Sequence, residues 1–165
     1  MPRLRRLLPL LAAPFAVPGA APLAAQRPRP LRVEEATIAE LHAAMRARTL
    51  TCRALVQRYL GRIAAIDRRG PALNALVVVN DRALAVADSL DRVRASGAPL
   101  GALHCVPTIV KDNFETVDLP TTAGSLALAG WRPAQDATMV RRIRAAGAIV
   151  LAKANMAEWA FTPYE

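Results

Sequence analysis

Apolar and polar positions along the chain switch between two spacings. Ile38, Leu41 and Met45 fall on one helical face, and Thr37 with Glu40 three residues later forms a capping box that starts it. Thr49-Leu50-Thr51 interrupts that pattern. Thr51 then caps a second helix with Leu55, Val56, Tyr59, Leu60, Ile63 and Ile66 on its apolar face, ended by Arg68-Arg69-Gly70-Pro71. Leu73 to Val79 is an apolar run of strand length. Asn80 is placed to cap a third helix reaching about Ala95, stopped by Gly97 and Pro99, with Asp88 and Arg92 spaced as an i,i+4 pair. Val106 to Val110 is a β-branched run that reads as a strand buried on both faces, and it delivers Lys111, Asp112 and Asn113 at its end. A long loop follows. Asp136 is then positioned to cap a helix carrying Met139, Val140 and Ile143, and Ala148 to Ala152 is another apolar run, closing on Lys153. Asn155 with Glu158 reads as the cap of a short last helix bearing Trp159 and Phe161.

Strand, crossover helix, strand is a βαβ unit, so the runs ending in Lys111 and Lys153 are expected to be parallel, with both lysines at one edge of the sheet. The carboxyl ends of strands are where open α/β sheets place their ligands. With 53% hydrophobic but only 4% aromatic residues, a helix-rich α/β fold fits better than an all-β one.

Length and charge add boundaries. The chain has 165 residues, the size of one domain or of part of a larger one. Residues 1–25 read as a signal peptide: Arg3, Arg5 and Arg6 precede an uncharged Leu/Ala-rich run, and small residues offer a cleavage site before Gln26. Pro9, Pro14, Pro18 and Pro22 argue against a regular membrane span, so no stable span is expected once the peptide is cleaved. Residues 26–33 read as a linker and 34–165 as the folded part. The net charge of +9 falls to +6 without the three leader arginines, since 19 basic residues then face 13 acidic ones. The remaining arginines are scattered along helices without interleaved aromatics, a pattern of solvated faces and not of a nucleic-acid surface.

The candidate chemistry centres on lysine. Only Lys111 and Lys153 occur among 22 basic residues. Arginine keeps its proton in proteins, whereas a partly buried lysine can lose it and act as a general base. The serines are Ser89, Ser96 and Ser125. Ser89 and Ser96 are expected to face solvent, and Ser125 to hydrogen-bond its own loop. His42 and His104 do not compose a metal site, and Cys52 and Cys105 read as two separate buried thiols, although export would permit their pairing. No glycine-rich phosphate loop is present, so no cofactor is expected.

Gly101-Ala-Leu-His-Cys-Val-Pro with Lys111-Asp-Asn, Pro120-Thr-Thr-Ala-Gly-Ser125, Asp136-Ala-x-Met-Val and Gly147-Ala-x-x-Leu-Ala-Lys153-Ala-Asn155-Met-Ala-Glu158 stand in an order and spacing that resembles the amidase signature family. The resemblance covers roughly residues 34–165. It implies an α/β/α fold with a mixed central sheet and hydrolysis of a small-molecule amide through a Ser–Ser–Lys triad, in which Lys111 is the base. Two departures stand out. The family usually has glycine where Cys105 stands, and its Gly-Gly-Ser-Ser-Gly-Gly-type segment, which carries both serines, lies beyond Glu165. The chain is therefore expected to be the N-terminal part of an exported amidase, inactive alone, with apolar sheet edges exposed. The competing expectation is a short exported binding or assembly module that kept half the fold. The signal peptide argues against the family's cytoplasmic tRNA-dependent branch.

Overall fold

The computed structural model describes residues 31–161, so the expected signal peptide, most of the expected linker and the last four residues lie outside the described residues. The chain from Leu31 onward opens with two helices. In α1 (Ile38–Arg46) both halves of the capping box are present: Thr37 Oγ1 accepts from the Glu40 amide at 3.2 Å, and Glu40 Oε2 accepts from the Thr37 amide at 2.8 Å. Leu41 and Met45 are buried while Ile38 is exposed, so the apolar stripe is narrower than the pattern suggests. Thr51 Oγ1 accepts from the Ala54 amide at 3.0 Å and starts α2 (Cys52–Arg62), which buries Leu55 and Val56 and runs on into a wide π-type turn, Ile63–Asp67.

The next element starts later than expected. Ala72 and Asn74 take left-handed backbone conformations, and the buried Asp67 carboxylate accepts from the Ala75 amide at 2.7 Å. This turn holds Leu73 out of the sheet, and β1 is Leu76–Val79. Asn80 does not cap α3 (Ala83–Ala95), whose N-cap is Arg82. Asn80 instead accepts from the Arg82 amide at 2.9 Å and donates to the Val150 carbonyl at 2.8 Å, tying the turn to the sheet. Asp88 pairs with Arg53 of α2 at 2.6 Å, leaving Arg92 to donate to Ser89. The expected i,i+4 pair is thus replaced by a link between helices.

The remaining elements are β2 (Pro107–Lys111), α4 (Thr138–Ala145) and β3 (Ile149–Ala154). The sheet order is β1-β3-β2, with β2 parallel and β1 antiparallel to β3, which makes the sheet mixed. Asp136 does not cap α4, whose N-cap is Ala137; its carboxylate accepts from the Val117 amide at 2.8 Å and pairs with Arg144 at 3.1 Å. Asn155 likewise leaves the last turn, Glu158–Ala160, uncapped, and accepts from the Met156 amide instead.

The core lies in two clusters on either side of β3. Ile149 and Leu151 join Leu41, Leu55, Val56 and Ala87 on the side of the first three helices, while Val150 joins Val110, Leu119 and Val140 on the other. The strand buried on both faces is therefore β3. β2 lies at the sheet edge with Val110 buried but Ile109 49% exposed and Lys111 exposed, because its second face is uncovered in this chain. Among the described residues, no helix is long and apolar enough to cross a membrane.

Candidate functional site

Parallel pairing brings both lysines to the carboxyl end of the sheet, as the βαβ reading requires: Val110 pairs with Lys153 and Lys111 with Ala154. Paired residues share a face and neighbours in a strand alternate, so Lys153 points with Val110 and Lys111 points the other way. β3 carries one extra residue, Leu151, between the Thr108–Val150 and Ile109–Ala152 pairs, and this irregularity turns Lys153 to the side of the long loop.

The two amines meet different surroundings. Lys111 is exposed, whereas the Lys153 side chain has no exposed surface and is the largest fully buried one. Its ammonium donates to Thr121 Oγ1 at 2.9 Å, to the Pro120 carbonyl at 3.2 Å and to Thr116 Oγ1 at 3.4 Å. It also lies 3.4 Å from Asp112 Oδ1, near enough for charge attraction though off the direction of a hydrogen bond. Burial pushes the Lys153 ammonium below its ordinary value, and the carboxylates of Asp112 and Asp118 oppose that shift.

Asp112 links this buried ammonium to Lys111. Its carboxylate, fully buried, accepts from the Thr122 amide at 3.1 Å and from the Thr122 hydroxyl. Its own amide donates to the Ala154 carbonyl at 3.1 Å, and its carbonyl accepts from the Ala123 amide. The Phe114 amide closes the turn on the Lys111 carbonyl at 3.0 Å. The backbone that presents Lys111 is thus pinned to the central strand and to the Pro120–Ser125 loop. Ser125 is buried in that loop, donating to Glu158 Oε1 at 2.6 Å and accepting from the Ala127 amide, so it serves as an anchor, as expected. Sequence reasoning singled out Lys111 but missed the Lys153–Asp112–Thr122 chain behind it. The available signal was a lysine ending an apolar strand in an arginine-rich chain.

At the opposite end of the sheet, Cys52 and Cys105 are joined in a disulfide with their Cα atoms 5.2 Å apart, which corrects the reading of two separate thiols. Cysteine at the first residue of α2 and cysteine just before β2 are distant in sequence, and only helix packing brings them together. His104 Nε2 lies 3.9 Å from Cys52 Sγ. The ligand atoms of Cys52, His104 and Cys105 fall within 4.8 Å of one another, but two sulfurs bonded to each other have no thiolate to offer a metal. Cys105 sits at φ +63°, in the left-handed region that favours glycine, which accounts for the glycine usual at this position in the resemblance. The loop is pressed against the end of α4: a Cβ on Gly101 would stand 2.2 Å from the Ala146 carbonyl oxygen. Burial first, then the neighbouring His42 and Arg94, hold the His104 imidazolium below the usual histidine range.

Comparison with known proteins gives consistent matches. The family profile described as Amidase matches residues 54–164. The chain is 51% identical over 106 residues to a glutamyl-tRNA(Gln) amidotransferase subunit of Salinispora arenicola, covering 64% of this chain and 21% of that protein. It is 42% identical over 131 residues to a probable amidase of Arabidopsis thaliana, covering 78% of this chain and 25% of that protein. Among solved structures it is similar to the native peptide amidase of Stenotrophomonas maltophilia, with a TM-score of 0.73, 49% identity, and coverage of 76% of this chain and 26% of that one. The chain spans between a fifth and a quarter of the length of these curated relatives.

Proposed function

This chain belongs to the amidase family, and on that premise we propose that it supplies the lysine base of an exported hydrolase. The reaction converts a small-molecule amide to a carboxylic acid and ammonia or an amine. The observation that carries the reading is the Lys111–Asp112 turn, fixed at the carboxyl end of the sheet by a fully buried Asp112 and Lys153. A base in a proton relay has to be held still, and this turn is held through both backbone and side-chain bonds.

In this reading neutral Lys111 takes a proton, through a bridging serine, from a nucleophilic serine. The serine oxygen bonds to the amide carbonyl carbon, the C–N bond breaks as the acyl-enzyme forms, and ammonia or an amine leaves with the proton that the lysine had taken. Water then cleaves the acyl-enzyme to the carboxylic acid. The resemblance assigns both serines to a segment outside this chain. The exposed face of β2 bearing Ile109 and Lys111 is where the rest of such a fold would pack, closing the lysine off from bulk water. The likeness to a peptide amidase supports a peptide amide as the first substrate to try. The disulfide supports export, because such bonds persist in oxidising compartments.

The test is ammonia release from a C-terminally amidated peptide by the protein that the complete reading frame encodes. Release accompanied by a trappable acyl-enzyme on serine supports the proposal. A folded product that frees no ammonia from peptide, aliphatic or aryl amides would contradict it and favour the non-catalytic module.

A further inference from the structure

A cleft of about 390 Å³ opens between the end of α1, the end of α3 and the Leu100–His104 loop, away from Lys111. Every charged or ionisable side chain lining it is basic: Arg46, Arg48 and Arg94, with His42 and His104. Met45 and Leu100 supply an apolar wall. From this lining we infer that the cleft binds a small organic oxyanion, a carboxylate or phosphate ester with an apolar body.

The chain is basic throughout, so arginine on a surface is not enough by itself. Three further features set this cleft apart. The acid beside Arg94, Asp91, is engaged elsewhere: its two oxygens accept from the Cys52 and Arg53 amides at 2.9 and 3.1 Å, capping α2. Its approach to Arg94 is a loose 3.7 Å. Arg94 donates through one terminal nitrogen to the Met45 carbonyl at 3.2 Å, yet its Nε is buried with no partner. The Arg94 side chain as a whole keeps 25% of its surface exposed, and an anion's oxygen can pair with its guanidinium there. Arg48, finally, is held at φ +58° just past the end of α1, an uncommon conformation for a non-glycine residue.

A ligand matching this lining places its oxyanion on the guanidinium groups and its apolar part against Met45 and Leu100, a division usual in pockets of this size. The inference concerns a surface remote from the lysine turn and stands whether or not the protein hydrolyses amides.

The test is calorimetric titration of the complete protein, in low-chloride buffer, with benzoate and with phenyl phosphate as the two oxyanion probes. Benzyl alcohol and benzylamine serve as neutral and cationic controls. Both or either oxyanion should bind with one-to-one stoichiometry, and the controls should not. The Arg46→Ser/Arg48→Ser variant, both sites being exposed and its fold checked by circular dichroism, should weaken binding ~10-fold or more if charge-assisted contacts hold the anion. Binding should also weaken with added salt. Tighter binding of phenyl phosphate would identify phosphate esters as the natural class, and tighter binding of benzoate would identify carboxylates. Absence of binding by both probes, equal binding of benzyl alcohol, or unchanged affinity in the variant would each overturn the inference.

Discussion

At the scale of single residues, the account turns on which lysine is buried. The position of Lys111 at the end of a strand was legible in sequence, and a lysine kept there in an arginine-rich chain is what suggests proton chemistry. The burial of Lys153 was not legible, because a one-residue irregularity in β3 decides which face it takes. Replacing Lys153 by methionine strands the buried Asp112 carboxylate, and the complete protein should lose about 3–5 kcal/mol in urea unfolding. Adding Asp112→Asn should recover part of that loss, since no buried charge is left. His104 gives a second residue-scale expectation. Its folded pKa lies below the ordinary 6.5, through burial and the neighbouring His42 and Arg94 against the opposing Asp91. Below pH 6.5 the unfolded chain therefore takes up a proton that the folded chain refuses, and stability falls as pH drops toward the folded value. Melting temperatures measured between pH 7.5 and pH 5 should show this decline, and His104→Asn should flatten it.

At the scale of elements, sequence pattern located every α-helix and strand among the described residues but misplaced several of their ends. Thr37 and Thr51 cap as expected, because each is followed directly by its helix. Asn80, Asp136 and Asn155 look equally suitable in sequence, yet each spends its side chain on a neighbouring segment, a choice made by tertiary contacts. The disulfide escaped notice for a related reason, since 53 residues separate its partners and only packing of α2 against the Gly101–Val106 loop makes them meet. It also accounts for a side chain at a left-handed position. Reducing it should lower stability by about 2–5 kcal/mol. In a Cys52→Ser background, Cys105→Gly should then raise stability by about 1 kcal/mol over Cys52→Ser alone, because glycine adopts φ +63° without strain. Denaturation midpoints of the three forms check both statements.

At the scale of the molecule, the mixed sheet is covered around its central strand and open at β2. Ile109, Val77 and Val117 are exposed, and β2 has one unpaired edge among the described elements. Such an edge invites association, so residues 26–165 expressed alone should aggregate or melt without a sharp transition, and a soluble monomer with one cooperative transition would contradict that. The α/β class and the parallel lysine-bearing strands could be read from sequence, because apolar spacing and βαβ topology are local. The antiparallel docking of β1 beside β3 was not legible, since no spacing rule assigns a partner to a short apolar run. The central claim is that Lys111 is held at the sheet end to accept a proton. Its most direct test is ammonia release from an amidated peptide by the complete protein, wild type against Lys111→Ala, with circular dichroism showing both folded. The account expects kcat to fall by about 10²–10⁴ in the variant with the fold intact; wild-type turnover in a folded Lys111→Ala protein would contradict it.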